Sequence, residues 1–238
     1  MKSRIRFDRN ELAGSFGDIG TDLPLIVGIV LAAGLDSGSL FFVFGILQIL
    51  TGLIYGLPMP MQPLKAMAVL VITQQLRGDL LWGAGVAVGF SILVLSLSGG
   101  LTLLAKWIPR CVVRGIQFGL GLKLASLALK DYIPSMGWTG YPLAAAGMAI
   151  MLVLWGNRRF PAGLLIIFLG GVVAVASGID FGLIIDGFGI SLPSFQHPSL
   201  DSILTGFVVL ALPQIPLSIS NSLIATDQTV TDLFPQRR

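Results

Sequence analysis

Two small sets of polar residues interrupt an otherwise apolar chain, and their types and spacing suggest proton and anion chemistry inside a membrane. Asp18 and Asp22 lie four residues apart and so share one helix face, with Thr21 on the same side. A charged group at the bilayer centre costs roughly 2.5 to 3.5 kcal/mol on insertion scales, so such acids face a cavity or a partner and are candidate proton carriers. A local role is the competing reading for Asp18, near the inner interface or capping a helix interrupted at Gly17 and Gly20, and it applies less to Asp22. The second set lies in the stretch LPMPMQPLKAM, Leu57 to Met67. Pro58, Pro60 and Pro63 donate no backbone hydrogen bonds and push the residues before them toward extended geometry, so no ordinary spanning helix passes through them. Pro63 suits the first position of a helix, and only eleven residues separate Lys65 from Arg77, too few to cross a bilayer. The stretch therefore predicts an extended strand followed by a half-helix over 57–76. The free N–H groups of a half-helix N-terminus attract anions, and Gln62 and Lys65 sit at that mouth. The alternative is a surface loop between two full spans, with Lys65 reaching back to the interface.

The elements that must hold these residues are set by composition. The 238 residues are 54% hydrophobic and 11% charged, a balance outside soluble norms and inside the polytopic membrane class. A net charge of +3 invites a nucleic-acid partner, but the cations are scattered over short loops with no basic face carrying aromatics, which excludes that class. One cysteine, Cys111, and one histidine, His197, argue against a disulfide framework and a Cys/His metal site; no cofactor is expected. A membrane enzyme would need catalytic groups clustered at one depth, which the scattered polar residues do not supply.

Stretches free of Asp, Glu, Lys and Arg mark spans at 37–64, 80–105, 132–157, 160–179 and 202–226. Two further spans are expected at 12–34 and 111–129, giving seven crossings plus the half-helix. With the N-terminus (1–11) cytoplasmic and the half-helix unit counted as one crossing, eleven cations, among them Lys106, Arg110 and Arg114, fall inside. Only Arg77 and Lys130 fall outside, a positive-inside pattern. The same reading makes 180–201 an external loop and 202–238 an eighth span with a cytoplasmic end.

LPLIVGIVLA (Leu23 to Ala32) is echoed by IPLSISNSLIA (Ile215 to Ala225), each opening a span on an apolar-Pro-Leu triplet. Seven crossings separate the two, so the second enters from the opposite side, as in an inverted-topology repeat. The second copy carries Gln214, Ser218, Ser220, Asn221 and Thr226, which need polar partners in a membrane.

These residues carry a resemblance. SFGDIGTDLPLIVGIVLAAGLDSGSLFF (Ser15 to Phe42), TGLIYGLPMPMQPLKAMA (Thr51 to Ala68) and LPQIPLSISNSLIATDQTVTDLFP (Leu212 to Pro235) are similar to signatures of the molybdate transporter family, a branch of the sulfate permease superfamily. The resemblance implies an all-α fold of fourteen segments in two inverted repeats of seven. In it a core domain (here 12–105, spans one to four) moves against a gate domain (here 106–179, spans five to seven). It places Gln62 and Lys65 in the first half-helix motif, Asp18, Thr21 and Asp22 in the first span, and Gln214, Ser218 and Asn221 in its repeat. The implied activity is secondary transport of a tetrahedral oxyanion, molybdate first and sulfate second, through the cell membrane (the inner membrane in a bacterium), coupled to protons through Asp22 or Asp18. No GxxxxGK[ST] motif points to ATP. The chain stops after the eighth expected segment, so the reading includes a partial transporter completed by a second chain or copy. The alternatives are a nucleobase permease of the same fold, whose carboxylate would bind a neutral ring, and a non-transporting membrane subunit or remnant.

Overall fold

The structure is a computed structural model, and it describes residues 16, 18–56, 61–155, 157, 161–179, 182, 185, 189 and 191–233. All regular structure among these residues is helical. Helix α1 runs Ile19–Ala33 and α2 Ser37–Tyr55, with Asp36 as N-cap between them. Gly56, at φ +58°, ends α2 in the left-handed region that glycine enters without strain. Helix α3 is Lys65–Gln74, α4 Gly78–Leu97, α5 Gly100–Trp107 and α6 Arg110–Leu127. Helices α7 (Gly140–Val153) and α8 (Ala162–Ala176) follow, and the final stretch contains α9 (Leu200–Gly206), α10 (Leu212–Ser218) and α11 (Ala225–Leu233).

Among the described residues, four helical stretches are long and apolar enough to cross a membrane: Ser37–Tyr55, Gly78–Leu97, Cys111–Ser135 and Leu200–Asp232. Together with the all-helical architecture they mark a polytopic membrane protein. Nothing in α2 is buried, although its mean hydropathy is 1.9, so its apolar surface is left for lipid or a further protein surface to cover. The other expected spans, at 12–34, 132–157 and 160–179, hold shorter apolar helices, Ile19–Ala33, Gly137–Val153 and Ala162–Ala176. At 1.5 Å per residue, 15 residues reach about 22 Å, short of the ~30 Å hydrocarbon layer, so among the described residues helix length by itself marks four of the seven expected spans.

A short helix occupies part of the stretch where the half-helix is expected. Helix α3 is ten residues long, about 15 Å, and stops where Gln75 turns left-handed at φ 51° and its side chain returns to the Ile72 carbonyl at 2.9 Å. The residues before it are described only in part. The predicted extended stretch lies outside the described residues over 57–60, and 61–64 carry no regular structure; the Met61 N–H goes to the Gln48 side chain at 2.6 Å instead of a neighbouring strand. Nor does Pro63 open the helix. Leu64 takes the extended N-cap geometry (φ −67°, ψ 95°), which leaves Pro63 outside and makes Lys65 the first helical residue.

The chain divides into two compact units, made of the described residues within Met1–Val27, Asp36–Pro63 and Leu127–Ser194 and within Gly28–Leu35, Leu64–Ser126 and Phe195–Arg238. In the first unit, glycines bring backbones together: a Cβ on Gly20 would lie 2.8 Å from the Gly163 Cα, and one on Gly163 would lie 2.7 Å from the Gly20 Cα. In the second, α4 crosses α9 in the same manner. A Cβ on Gly206 would lie 2.7 Å from the Ala84 N, and one on Gly83 would run into the Ser202 carbonyl. Lipid tails are as apolar as leucine, so such close backbone approach, rather than the hydrophobic effect, supplies much of the attraction between membrane helices.

Wide π-turns accompany prolines in both units. The Ile133 N–H bonds to the Ala128 carbonyl and the Leu212 N–H to the Phe207 carbonyl, each five residues back and each one residue before a proline, Pro134 or Pro213. A proline inside a helix removes one ladder bond and presses on the preceding turn, and widening that turn relieves the pressure. After the second of these turns, Gln214, Ile215, Leu217 and Ser218 are buried together.

Candidate functional site

In the first unit, the structure gathers Asp18, Thr21, Asp22 and Gln62. Asp18 directly precedes α1, and its carbonyl accepts from the Thr21 and Asp22 N–H groups, both at 2.9 Å. Its carboxylate is not spent on local capping: Oδ2 accepts from the Gln62 amide Nε2 at 2.6 Å across 44 residues of sequence. That short, charge-assisted bond ties the acid to the chain just before the half-helix. Thr21 Oγ1 lies within 3.0 Å of the Asp18 carbonyl and 3.3 Å of Asp22 Oδ1, which places its hydroxyl between the two aspartates. Asp22 is half-buried, and Asp18 and Thr21 are exposed on the isolated chain.

In the second unit, the structure centres on the N-terminus of α3. Leu64 offers no side-chain cap, so the first N–H groups of the helix need an acceptor from elsewhere. Gln214 provides it: its Oε1 accepts from the Ala66 N–H at 2.9 Å and more weakly from the Met67 N–H at 3.4 Å. These are the positions an ordinary N-cap side chain serves, but the cap comes from a residue 148 positions away. Its amide Nε2 donates to Ser218 Oγ at 3.0 Å, one helical turn on. The amide orientation follows from the partners, since a flipped carboxamide would aim N–H at N–H. Gln214 is 4% and Ser218 6% exposed, so the network is dry, and Ala66 and Leu217 pack beside it with Val113. Lys65 is half-buried at the first position of α3. Asn221 is exposed and set apart from that cap; its Oδ1 accepts from Gln117 Nε2 at 3.4 Å.

The same unit contains a polar groove of about 580 Å³ walled by Lys106, Arg114, Gln117, Ser220, Asn221 and Gln228. The sequence places Lys106 and Arg114 among the cations of the cytoplasmic side, Arg114 within the span expected at 111–129, and gives Gln117 and Gln228 no role. Arg114 and Gln117, three residues apart on an apolar helix, were the available signal. Likewise, nothing in the local sequence marked Gln48 as the partner of Met61.

This arrangement defines a class: a multi-pass helical membrane protein that keeps acids, amides and a half-helix start on otherwise apolar segments. Comparison with known proteins narrows it. A family model described as a molybdate transporter of the MFS superfamily matches residues 10–124, which include Asp18 through Lys65. The chain is 31% identical to molybdate transporter 1 of Arabidopsis thaliana over 271 aligned positions, covering 95% of this chain and 59% of the relative. It is 30% identical to molybdate transporter 2 of the same plant, covering 98% of this chain and 61% of the relative. Molybdate transporter 1 of Chlamydomonas reinhardtii is 34% identical over 157 positions, 60% of this chain and 30% of the relative. The chain thus spans about three-fifths of the length of the Arabidopsis relatives. These likenesses support the molybdate transporter family. No solved structure matches the chain.

Proposed function

We propose that this chain acts in membrane transport of a tetrahedral oxyanion, as a member of the molybdate transporter family, with molybdate the first candidate and sulfate the second. The observation that carries the reading is likeness to proteins named as molybdate transporters along 95 to 98% of the chain. The kinship to sulfate permeases, the seven-plus-seven inverted repeat and a core (12–105) moving against a gate (106–179) belong to the same proposal. So does the orientation with Lys106, Arg110 and Arg114 on the cytoplasmic side.

Within the unit that holds α3, Lys65 supplies positive charge at a helix start, where the macrodipole adds about half an elementary charge. Gln214 and Ser218 are proposed as its polar companions; Asn221, expected with them, bonds to Gln117 and lines the neighbouring groove instead. Because Gln214 already occupies the Ala66 and Met67 N–H groups, an anion there meets the Lys65 ammonium rather than two open amides. Within the other unit, Gln62 and Thr21 are proposed as anion-binding groups, and Asp22, or in second place Asp18, as the proton carrier.

The test is molybdate uptake by cells that lack their own transporter and express this protein. Lys65→Ala removes a charge-assisted contact worth on the order of 1.5 to 3 kcal/mol, and uptake at limiting molybdate is expected to fall roughly tenfold to a hundredfold. Uptake equal to wild type, at equal expression, would refute the role of Lys65; no uptake by the wild-type protein at any molybdate concentration would refute the function.

A further inference from the structure

The groove in the second unit is cationic by construction. Helix α5 carries Lys106 in its last turn and ends at Trp107, and α6 begins three residues later at Arg110, so the tight junction around Ile108 and Pro109 brings Lys106 and Arg114 to one cavity. The opposite wall is the face of the final helical stretch carrying Pro216, Ser220, Asn221 and Gln228. A hydrogen bond from Gln117 Nε2 to Asn221 Oδ1 links the walls, and Ile108, Val113 and Ile219 supply apolar lining. No Asp or Glu is among the lining residues; Asp227, the sequence neighbour of Gln228, is not part of it. Two cations with amide and hydroxyl donors, and no acid to neutralise them, are the recognition chemistry of an oxyanion. The volume would hold on the order of twenty waters, so the anion enters with hydration or as the head of a larger molecule.

From these observations we infer that the Lys106–Arg114 groove binds a tetrahedral oxyanion group, as a site separate from the Gln214-capped start of α3. Two sources share that chemistry: a free anion such as molybdate or sulfate, and the phosphate of an acidic lipid headgroup. Arg114 supplies a planar fork suited to two oxygens at once, and Lys106 a mobile point charge. Both side chains are exposed, so their replacement removes charge without opening a core.

The experiment uses the protein in phosphatidylcholine nanodiscs. One arm measures binding of radiolabelled sulfate and molybdate by equilibrium dialysis. A second measures retention of phosphatidic acid against phosphatidylcholine by native mass spectrometry. The Lys106→Gln/Arg114→Gln double variant is expected to weaken whichever ligand binds roughly tenfold and to flatten its dependence on ionic strength. Arg77→Gln, which removes a cation from the exposed start of α4, is expected to change neither. Binding of the free anions identifies a solute site, and selective retention of phosphatidic acid identifies a lipid site; either supports the inference when the double variant loses it. Absence of both, or a double variant that binds as tightly as wild type, overturns it. A protein that shows no uptake yet binds sulfate through these two residues would leave this inference standing while the transport reading fell.

Discussion

Replacing Gln214 with leucine keeps the side chain's bulk and removes the acceptor that serves the Ala66 and Met67 N–H groups at the start of α3. The Ala66 N–H, on a residue with no exposed surface, loses a 2.9 Å bond, and the Met67 N–H loses a longer one. An orphaned buried donor costs about 1 to 3 kcal/mol, and loss of an N-cap acceptor is measured at about 0.5 to 2 kcal/mol, two views of the same contact. The Ser218 hydroxyl can turn back to its own helix and adds little. The expected penalty is therefore about 1 to 2 kcal/mol, where the two ranges overlap, placed on the first turn of α3, or roughly a fivefold to thirtyfold loss of amide protection there. Hydrogen exchange followed by mass spectrometry on peptides spanning 61–75 reads it directly, with peptides from α8 as the internal control. Gln214→Glu retains an oxygen for both N–H groups and gains from the helix dipole, so it is expected to hold protection near wild type. Two results would refute the reasoning: full protection of residues 65–67 in the leucine variant, or a glutamate variant as exposed as the leucine one.

Glycine at the α4–α9 crossing should be irreplaceable while a neighbour on the same helix is not. Gly83→Ala drives a methyl group into the Ser202 backbone and should cost about 1 to 3 kcal/mol, whereas Gly85→Ala, with nothing within 4 Å, should be neutral or gain the helix preference of about 0.5 to 1 kcal/mol. Thermal unfolding of both variants in detergent decides, and equal midpoints would sink the argument. Asp36 should make the start of α2 sensitive to acid. Its bonds from the Ser39 side chain and N–H hold its carboxyl below the ordinary 3.8, so its stabilisation is complete well above 3.8 and is lost as pH falls below 3.8 through the depressed folded-state value. Unfolding midpoints followed from neutral to about pH 3 should therefore drop more for wild type than for Asp36→Asn, and parallel curves would count against the cap.

By itself the sequence determined the solvent and the places where helices can form. An apolar composition with charge-free stretches requires a membrane, because a chain this poor in charge has no other way to cover its surface. Three prolines followed by ten helix-forming residues require a short helix after a break, since proline cannot pass a ladder bond on and a run ended by Gln75 cannot cross a bilayer. Asp18, Asp22 and Thr21 were legible as a set because helical periodicity is local. What only the tertiary structure decided is which groups answer one another across the chain. Gln214 was visible as a polar residue in need of a partner, but that its partner is the backbone of Ala66 and Met67 depends on how the final stretch packs against α3. Asp18 was open to either a local cap or a distant partner, and the structure gives its carboxylate to Gln62. Lys106 and Arg114 read only as cations of the cytoplasmic side because charge counting is blind to what lies opposite; a wall of serine, asparagine and glutamine turns them into a groove. Hydrogen bonds and charge act over a few ångströms, and separations of 44, 104 and 148 residues become a few ångströms only through the fold.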